Sequence, residues 1–213
     1  EQVESLYAAY TVPTQQGDVV SVGDIMTAFN HFALFDVMLE GAKGPLTEEE
    51  IKNYHSVLKR GTIDERRRWF AVGDYKTVPN VLGPGLVETS PPEKTQSDMR
   101  RLLKRYAAVR TPKLEDILDF HYRFEVIHPF QDCNGIIGRM LVYKECLNYG
   151  LVPSLPDCER RETYISGLDE YHRNKKKLWE EFVRCQSLYG EVCEAYFEKK
   201  KNTKTESVFS EYI

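Results

Sequence analysis

Twelve consecutive residues, HPFQDCNGIIGR (128–139), hold an imidazole, a carboxylate, two amides, a thiol, two glycines and a guanidinium. They lie between two apolar stretches of helical period, 114–127 and a second that begins at about Ile136 and ends on Gly150. The first amides of the second helix have no intrahelical partner and point into the turn with the positive end of the helix dipole. Such a helix start binds phosphate, and Gly135 lets an anion approach the backbone. Asp132 faces the same space and offers a hard oxygen to Mg²⁺, which commonly shares its ligands with phosphates. Arg139, one turn further on, can clamp a phosphate with its planar fork. His128 would act as a general base on an incoming hydroxyl, its ordinary pKa lying near neutrality. A plain alternative stands beside this: a His–Asp pair between two helices is commonly structural, and Asp-x-Asn-Gly is a good turn. The combined spacing favours a site.

The elements that must position this turn are helical. Residues 24–40 carry apolar side chains at helical spacing and stop at Gly41. A second helix opens with Thr47 and Glu50 in capping-box positions, and a third with Ser90, Pro91 and Glu93. The segment 114–127 is apolar on most faces and reads as the buried central helix. Two more helices follow Glu159. The stretch 72–88 has glycines, prolines and short apolar runs but no helical period, and reads as a β-hairpin or extended flap. So long a non-helical loop is usually functional. Residues 1–20 read as irregular, with VPTQQGD as a loop, and 200–213 as a loose tail. Between them, 21–199 forms one mainly helical domain.

Bulk properties narrow the function. The chain has 213 residues, 41% of them hydrophobic, and a net charge of −4, so it lacks the basic footprint of a nucleic-acid binder. No apolar run is long enough to span a bilayer, and EQVESLYAAY lacks the basic-then-apolar order of a signal peptide. Five cysteines, at 133, 146, 158, 185 and 193, fall into no metal-ligand spacing. Reduced thiols in a cytoplasmic compartment fit that usage.

The turn resembles the signature of the Fic (Fido) family, His-Pro-Phe-x-Asp/Glu-Gly-Asn-Gly-Arg-x-x-Arg. His128, Pro129, Phe130, Asp132, Asn134, Gly135 and Arg139 match it in register. The segments VMLEGAKGPLTEEEIKNYHSVLKRGT, VGDYK and LEDILDFHYRFEVI are similar to the same family in the same order. The resemblance implies an all-α fold with a β-hairpin flap over the active site. It implies a protein adenylyltransferase that moves AMP from ATP to a Ser, Thr or Tyr hydroxyl, with Mg²⁺ as cofactor. His128 would be the base and Asp132 the metal ligand. Asn134, Gly135, Cys133 and Phe130 would bind ATP or shape its loop, and Arg139 would grip the γ-phosphate. The flap residues Val72, Gly73, Asp74, Tyr75 and Lys76 would dock the target backbone by strand pairing. Tyr164 and Tyr171 are candidates for the nucleobase side, or core aromatics. DVMLEG resembles the inhibitory helix of many relatives, so Glu40, followed by Gly41, would pair with Arg139 and restrain the enzyme.

Two positions depart from the signature. Cys133 stands where the family has glycine, and a left-handed backbone there would cost about 1–2 kcal/mol. Ile136 replaces the first arginine and loses a charge-assisted phosphate contact worth roughly 1.5–3 kcal/mol. Ile136 is expected to pack inward. A thiol at a helix N-terminus beside His128 is also a candidate nucleophile, and Cys133 holds that place. These departures keep two alternatives open: a nucleotide-binding pseudoenzyme, or a transferase of another donor (UMP, phosphocholine or phosphate). The partners expected are ATP and a protein substrate or the chain itself, with homo-oligomers allowed by the resemblance. Tyr75, Ser207, Ser210 and Tyr212 are candidate self-modification sites.

Overall fold

Ser21 starts the first helix by accepting the amide of Asp24 on its Oγ at 3.0 Å, a serine N-cap. The computed structural model describes residues 11–13, 19–82, 87–156 and 160–210. Ahead of that cap, β1 (Thr11–Pro13) and β2 (Val19–Ser21) pair antiparallel, Val12 opposite Val20. The expected irregular segment thus holds a strand pair, and residues 14–18 of the proposed loop lie outside the described residues. Helix α1 (Val22–Glu40) buries Leu34 and Met38 and ends on Gly41.

Helix α2 (Glu48–Lys59) begins as its sequence indicates, with Thr47 Oγ1 accepting the Glu50 amide at 3.1 Å. Three glutamates in its first turn face the positive end of the dipole. Helix α3 (Pro92–Ala107) has Pro91 at the cap and no side-chain cap bond. The Ser90–Glu93 box does not form: proline fixes φ for the helix start, and Ser90 Oγ instead donates to Asp98 Oδ2 at 2.8 Å.

Helix α4 (Leu114–Ile127) is the buried centre, with Ile117, Leu118, Phe120, Phe124 and Ile127 all in the core. It packs on α3 and on α5 (Asn134–Asn148). Helices α6 (Arg161–Glu170) and α7 (Lys176–Ser210) pack together, and a Cβ at Gly167 would lie 3.1 Å from the backbone of Leu178. The segment from Lys200, read as a loose tail, continues α7 to Ser210. No glycine or proline falls between 200 and 210, so nothing local breaks the helix there. Tyr212 and Cys158 lie outside the described residues.

The only strands after α2, among the described residues, are β3 (Val81–Leu82) and β4 (Val87–Glu88), an antiparallel pair with Val81 opposite Glu88. The fold is therefore all-α with a small hairpin. No described helix is long and apolar enough to cross a membrane, and the described cysteines 133, 146, 185 and 193 are free thiols.

Candidate active site

The turn between α4 and α5 is built by its own backbone. His128 caps α4 in the left-handed region, at φ 51° and ψ 60°, and Cys133 caps α5 at φ 65° and ψ 11°. Two reversals five residues apart fold the chain back so that α5 leaves beside α4. Cys133 thus carries the strain that glycine would avoid at this backbone. The helix begins at Asn134, two residues before the apolar pattern, because Ile136 and Ile137 both donate to Cys133 O at 3.1 Å. The amides of Asn134 and Gly135 are left for the turn.

Asn134 is 1% exposed and spends its side chain on the loop itself. Its Oδ1 accepts from Phe130 N at 2.8 Å, and its Nδ2 donates to Phe130 O at 2.7 Å. Its side chain is a clasp on the loop. Phe130 is fully buried, its ring stacked on His55 at 4.3 Å. Both side chains hold the loop; Phe130 shapes it from the core and is not on the cleft wall, whereas Asn134 also lines the cleft. Gly135 is a true close approach: a Cβ there would stand 3.2 Å from an Arg139 guanidinium nitrogen. Arg139 lies folded over the helix start, beside the free amides.

His128 is positioned for base chemistry. Its Nδ1 is 3.2 Å from the Glu125 carbonyl oxygen. A carbonyl only accepts, so Nδ1 carries the proton and Nε2 keeps its lone pair. Burial pushes the imidazole down to about 4, with the Glu125 contact and Asp132 opposing and Lys76 reinforcing that shift. His128 is therefore neutral near pH 7, the form a base needs. The Glu125 carboxyl lies 3.9 Å from Nδ1 and is pushed up to about 7 by burial, against the pull of Arg139. Behind it, His121 Nε2 and the Tyr164 hydroxyl share a hydrogen bond of 2.7 Å. A Cβ at Gly138 would come 2.3 Å from Glu125 Oε1, so glycine is what admits this carboxyl under the turn.

Asp132 is held by two contacts. Its Oδ1 accepts from Cys133 N at 2.7 Å, and its Oδ2 accepts from Lys59 Nζ at 2.7 Å. Burial raises its pKa, but Lys59 outweighs burial and holds the carboxyl below the usual range. The Cys133 thiol moves the other way, pushed up to about 12 by burial and by Asp132. It stays protonated, which removes the nucleophile reading.

These groups line one cleft of about 740 Å³, within the span of small-molecule sites. His128, Asp132, Cys133, Gly135 and Arg139 are on its wall with Tyr164. Ile136 is there too, partly buried against the core, so it faces the cleft that it was expected to avoid. Tyr171 is not on that wall; it is 3% exposed and its ring packs on Tyr122 at 4.3 Å. The side chains missed in the sequence come mostly from distant elements: Lys59 from α2, Asp24, Thr27, Ala28 and His31 from α1, and Arg161, Ile165 and Leu168 from α6. Lys59 had no local signal except a lysine closing a helix.

Two expected features sit elsewhere. Glu40 is exposed in the last turn of α1, nine residues beyond His31, or about 14 Å along the axis from the part of α1 that meets the cleft. That end of α1 leads instead to the far end of α5, where Lys43 Nζ donates to Leu147 O at 2.6 Å and Lys144 Nζ to Gly44 O at 2.7 Å. Glu40 does not restrain Arg139 here. Gly41 has φ −89° and a Cβ there would meet Glu50 Oε1 at 3.1 Å, so it serves helix packing.

The segment 72–76 is not a free strand edge. Gly73 N donates to His55 Nδ1 at 2.9 Å, Asp74 pairs with Lys52 at 2.8 Å, and Tyr75 is buried against Phe130. Val72 is half-buried in the same turn. Lys76 is 3% exposed; its amide donates to Pro129 O at 2.8 Å and its ammonium to Ile127 O at 3.1 Å. This segment buttresses the turn, and burial of Tyr75 also removes it as an accessible modification site. The hairpin that stands over the cleft is β3–β4, whose Leu82 lines the wall. The side chains of Ser207 and Ser210 lie outside the described ones.

Residues 45–146, from the start of α2 through most of α5, match the model of the Fic/DOC family. A probable protein adenylyltransferase of Aquifex aeolicus (strain VF5) is 37% identical over 76 residues, which is 35% of this chain and 23% of that protein. The fold is that of a Fic-domain-containing signaling protein from Bacteroides thetaiotaomicron, at a TM-score of 0.65 and 24% identity over 88% of this chain and 75% of that one. A BepC protein of Bartonella tribocorum, solved with bound AMPPNP, aligns at a TM-score of 0.57 and 13% identity over 86% of this chain and 96% of that one.

Proposed function

We propose that the protein is an adenylyltransferase of the Fic type that moves AMP from ATP to a hydroxyl of a protein, a reading supported by the match of residues 45–146 to the Fic/DOC family model. The observation that carries the reading is His128: a neutral imidazole with Nδ1 committed to the Glu125 carbonyl and Nε2 free, on the wall of a cleft that also holds Arg139 and the open amides of α5. The AMPPNP bound to the Bartonella relative supports a nucleoside triphosphate as the ligand.

The chemistry follows from these groups. Nε2 accepts the proton of the incoming hydroxyl as its oxygen bonds to the α-phosphorus. The bond from that phosphorus to the bridging oxygen breaks and pyrophosphate leaves. The amides of Asn134 and Gly135, with the dipole of α5, face the charge that develops on the phosphate. Arg139 clamps a terminal phosphate with its fork. Mg²⁺ binds through one or two carboxylates beside phosphates and waters. Asp132, whose side chain is 61% exposed, fits as that carboxylate, and no group of three His, Cys, Asp or Glu among the described residues offers a full cage. When bound, the ion would neutralise charge on the phosphates.

A second reading, a nucleotide binder without transfer, draws on Ile136, which brings no cation to the cleft wall. Intact mass after incubation with Mg²⁺ and ATP, UTP or CDP-choline separates the readings. Transfer predicts a gain of one AMP unit on the chain or an added protein, lost in His128→Ala by a factor of about 10²–10⁴ in rate, with ATP binding retained. ATP binding with no mass change on any target tried supports the binder, and no ATP binding removes both.

A further inference from the structure

We propose that Lys59 is a phosphate-contacting residue of the cleft, a cation brought from the end of α2 to the mouth of the turn, where Ile136 brings none. The inference rests on the reading of the cleft as a nucleoside triphosphate site.

Lys59 lines the same wall as His128 and Arg139 but is only 4% exposed, so it is no solvated surface lysine. Its ammonium is fixed by Asp64 Oδ2 at 3.0 Å and Asp132 Oδ2 at 2.7 Å, and lies 5.1 Å from the centre of the Phe70 ring. An ammonium has three N–H donors. Two go to these carboxylates, which leaves one for a phosphate oxygen.

Charge balance points the same way. Asp64 also accepts from Arg67 at 2.9 Å, so Asp64 is neutralised without drawing fully on Lys59. Asp132 is the partner that opens to the cleft, with 61% of its side chain exposed against 11% for Asp64. A triphosphate entering beside a lone carboxylate would be repelled. With Lys59 against that carboxylate, the mouth of the turn carries no net negative charge, and one rotamer change turns the ammonium from Asp132 toward a phosphate.

Calorimetric titration with ATP and with adenosine, in EDTA so that no divalent ion contributes, tests this. Lys59→Met is expected to weaken ATP by about ten- to a hundredfold, the loss of one charge-assisted contact, with adenosine unchanged. Lys59→Met/Ile136→Arg should recover most of the loss, the cation now arriving from α5. Unchanged ATP affinity in folded Lys59→Met, or equal losses for ATP and adenosine, overturns the proposal. Should Lys59→Met not fold, Asp132→Asn decides instead: freed of its carboxylate, Lys59 should bind ATP more tightly in EDTA, and weaker binding overturns the idea. Failure of the wild-type chain to bind ATP sinks both readings, whereas wild-type transfer with an indifferent Lys59→Met sinks this one alone.

Discussion

The turn 128–139 and the end of α1 at 36–41 both present motif-like residues, yet they behave in opposite ways. In the turn, Asn134 reaches Phe130 four residues away and closes both of its bonds inside the loop. At the end of α1, Glu40 would have to meet Arg139 from 99 positions away in sequence, and the helix carries it out to solvent instead. The first arrangement is assembled by local hydrogen bonds and two backbone reversals. The second depends on how far a helix runs before it turns, and the packing of Gly44 and Lys43 on α5 settles that. Local motifs carry their own geometry; distant ones borrow it.

That contrast can be pressed with substitutions. Asn134→Ala should do the most damage: it orphans the buried amide of Phe130, at about 1–3 kcal/mol, while Phe130 O keeps its bond from Asn80 Nδ2 at 2.7 Å. Urea denaturation would reveal the loss as a lower midpoint at constant slope, and an unchanged midpoint would show that the clasp is not what holds the loop.

Acid should act next. His55 is held down to about 4 and His121 to about 3, chiefly by burial. Their folded pKa values lie below the unfolded ones, so the unfolded chain binds more protons as pH falls from about 6.5 and stability drops toward pH 4. Glu125, raised to about 7, runs the other way, its stabilisation fading as pH rises through 7. Thermal unfolding from pH 8 to 4 should therefore show a plateau above about pH 7 and a fall below it, the histidines outweighing the opposing Glu125. His55→Phe, which keeps the stack on Phe130, should flatten that fall.

Cys133→Gly relieves the left-handed cap and should stabilise by about 1 kcal/mol, read as a rise of about 2–4 °C in melting temperature. A drop would mean that the thiol packs better than the backbone suffers. Smallest of all, Glu40→Gly should leave nucleotide transfer unchanged and shift stability only by the propensity cost of glycine, about 1 kcal/mol or less. A large gain in transfer would restore Glu40 as a restraint and refute the geometry described here.

Much of this was legible in one dimension. The helical period marked α1 to α7, Thr47 announced the start of α2, and the mostly apolar faces of 114–127 announced the central helix. The spacing of His128, Asp132, Gly135 and Arg139 placed four groups on one cleft wall, because a short turn followed by one helical turn leaves them nowhere else to go. Only the tertiary structure decided what fills the rest of that wall. Lys59 and the α1 residues reach it through helix packing, Tyr75 turns inward on its ring contact with Phe130, Lys76 does so because its ammonium finds Asn80, Thr89 and the Ile127 carbonyl beneath the loop, and Glu40 stays in water. Sequence fixes what a few neighbouring bonds can enforce; contacts between elements far apart in the chain depend on crossing angles and lengths that no single segment encodes.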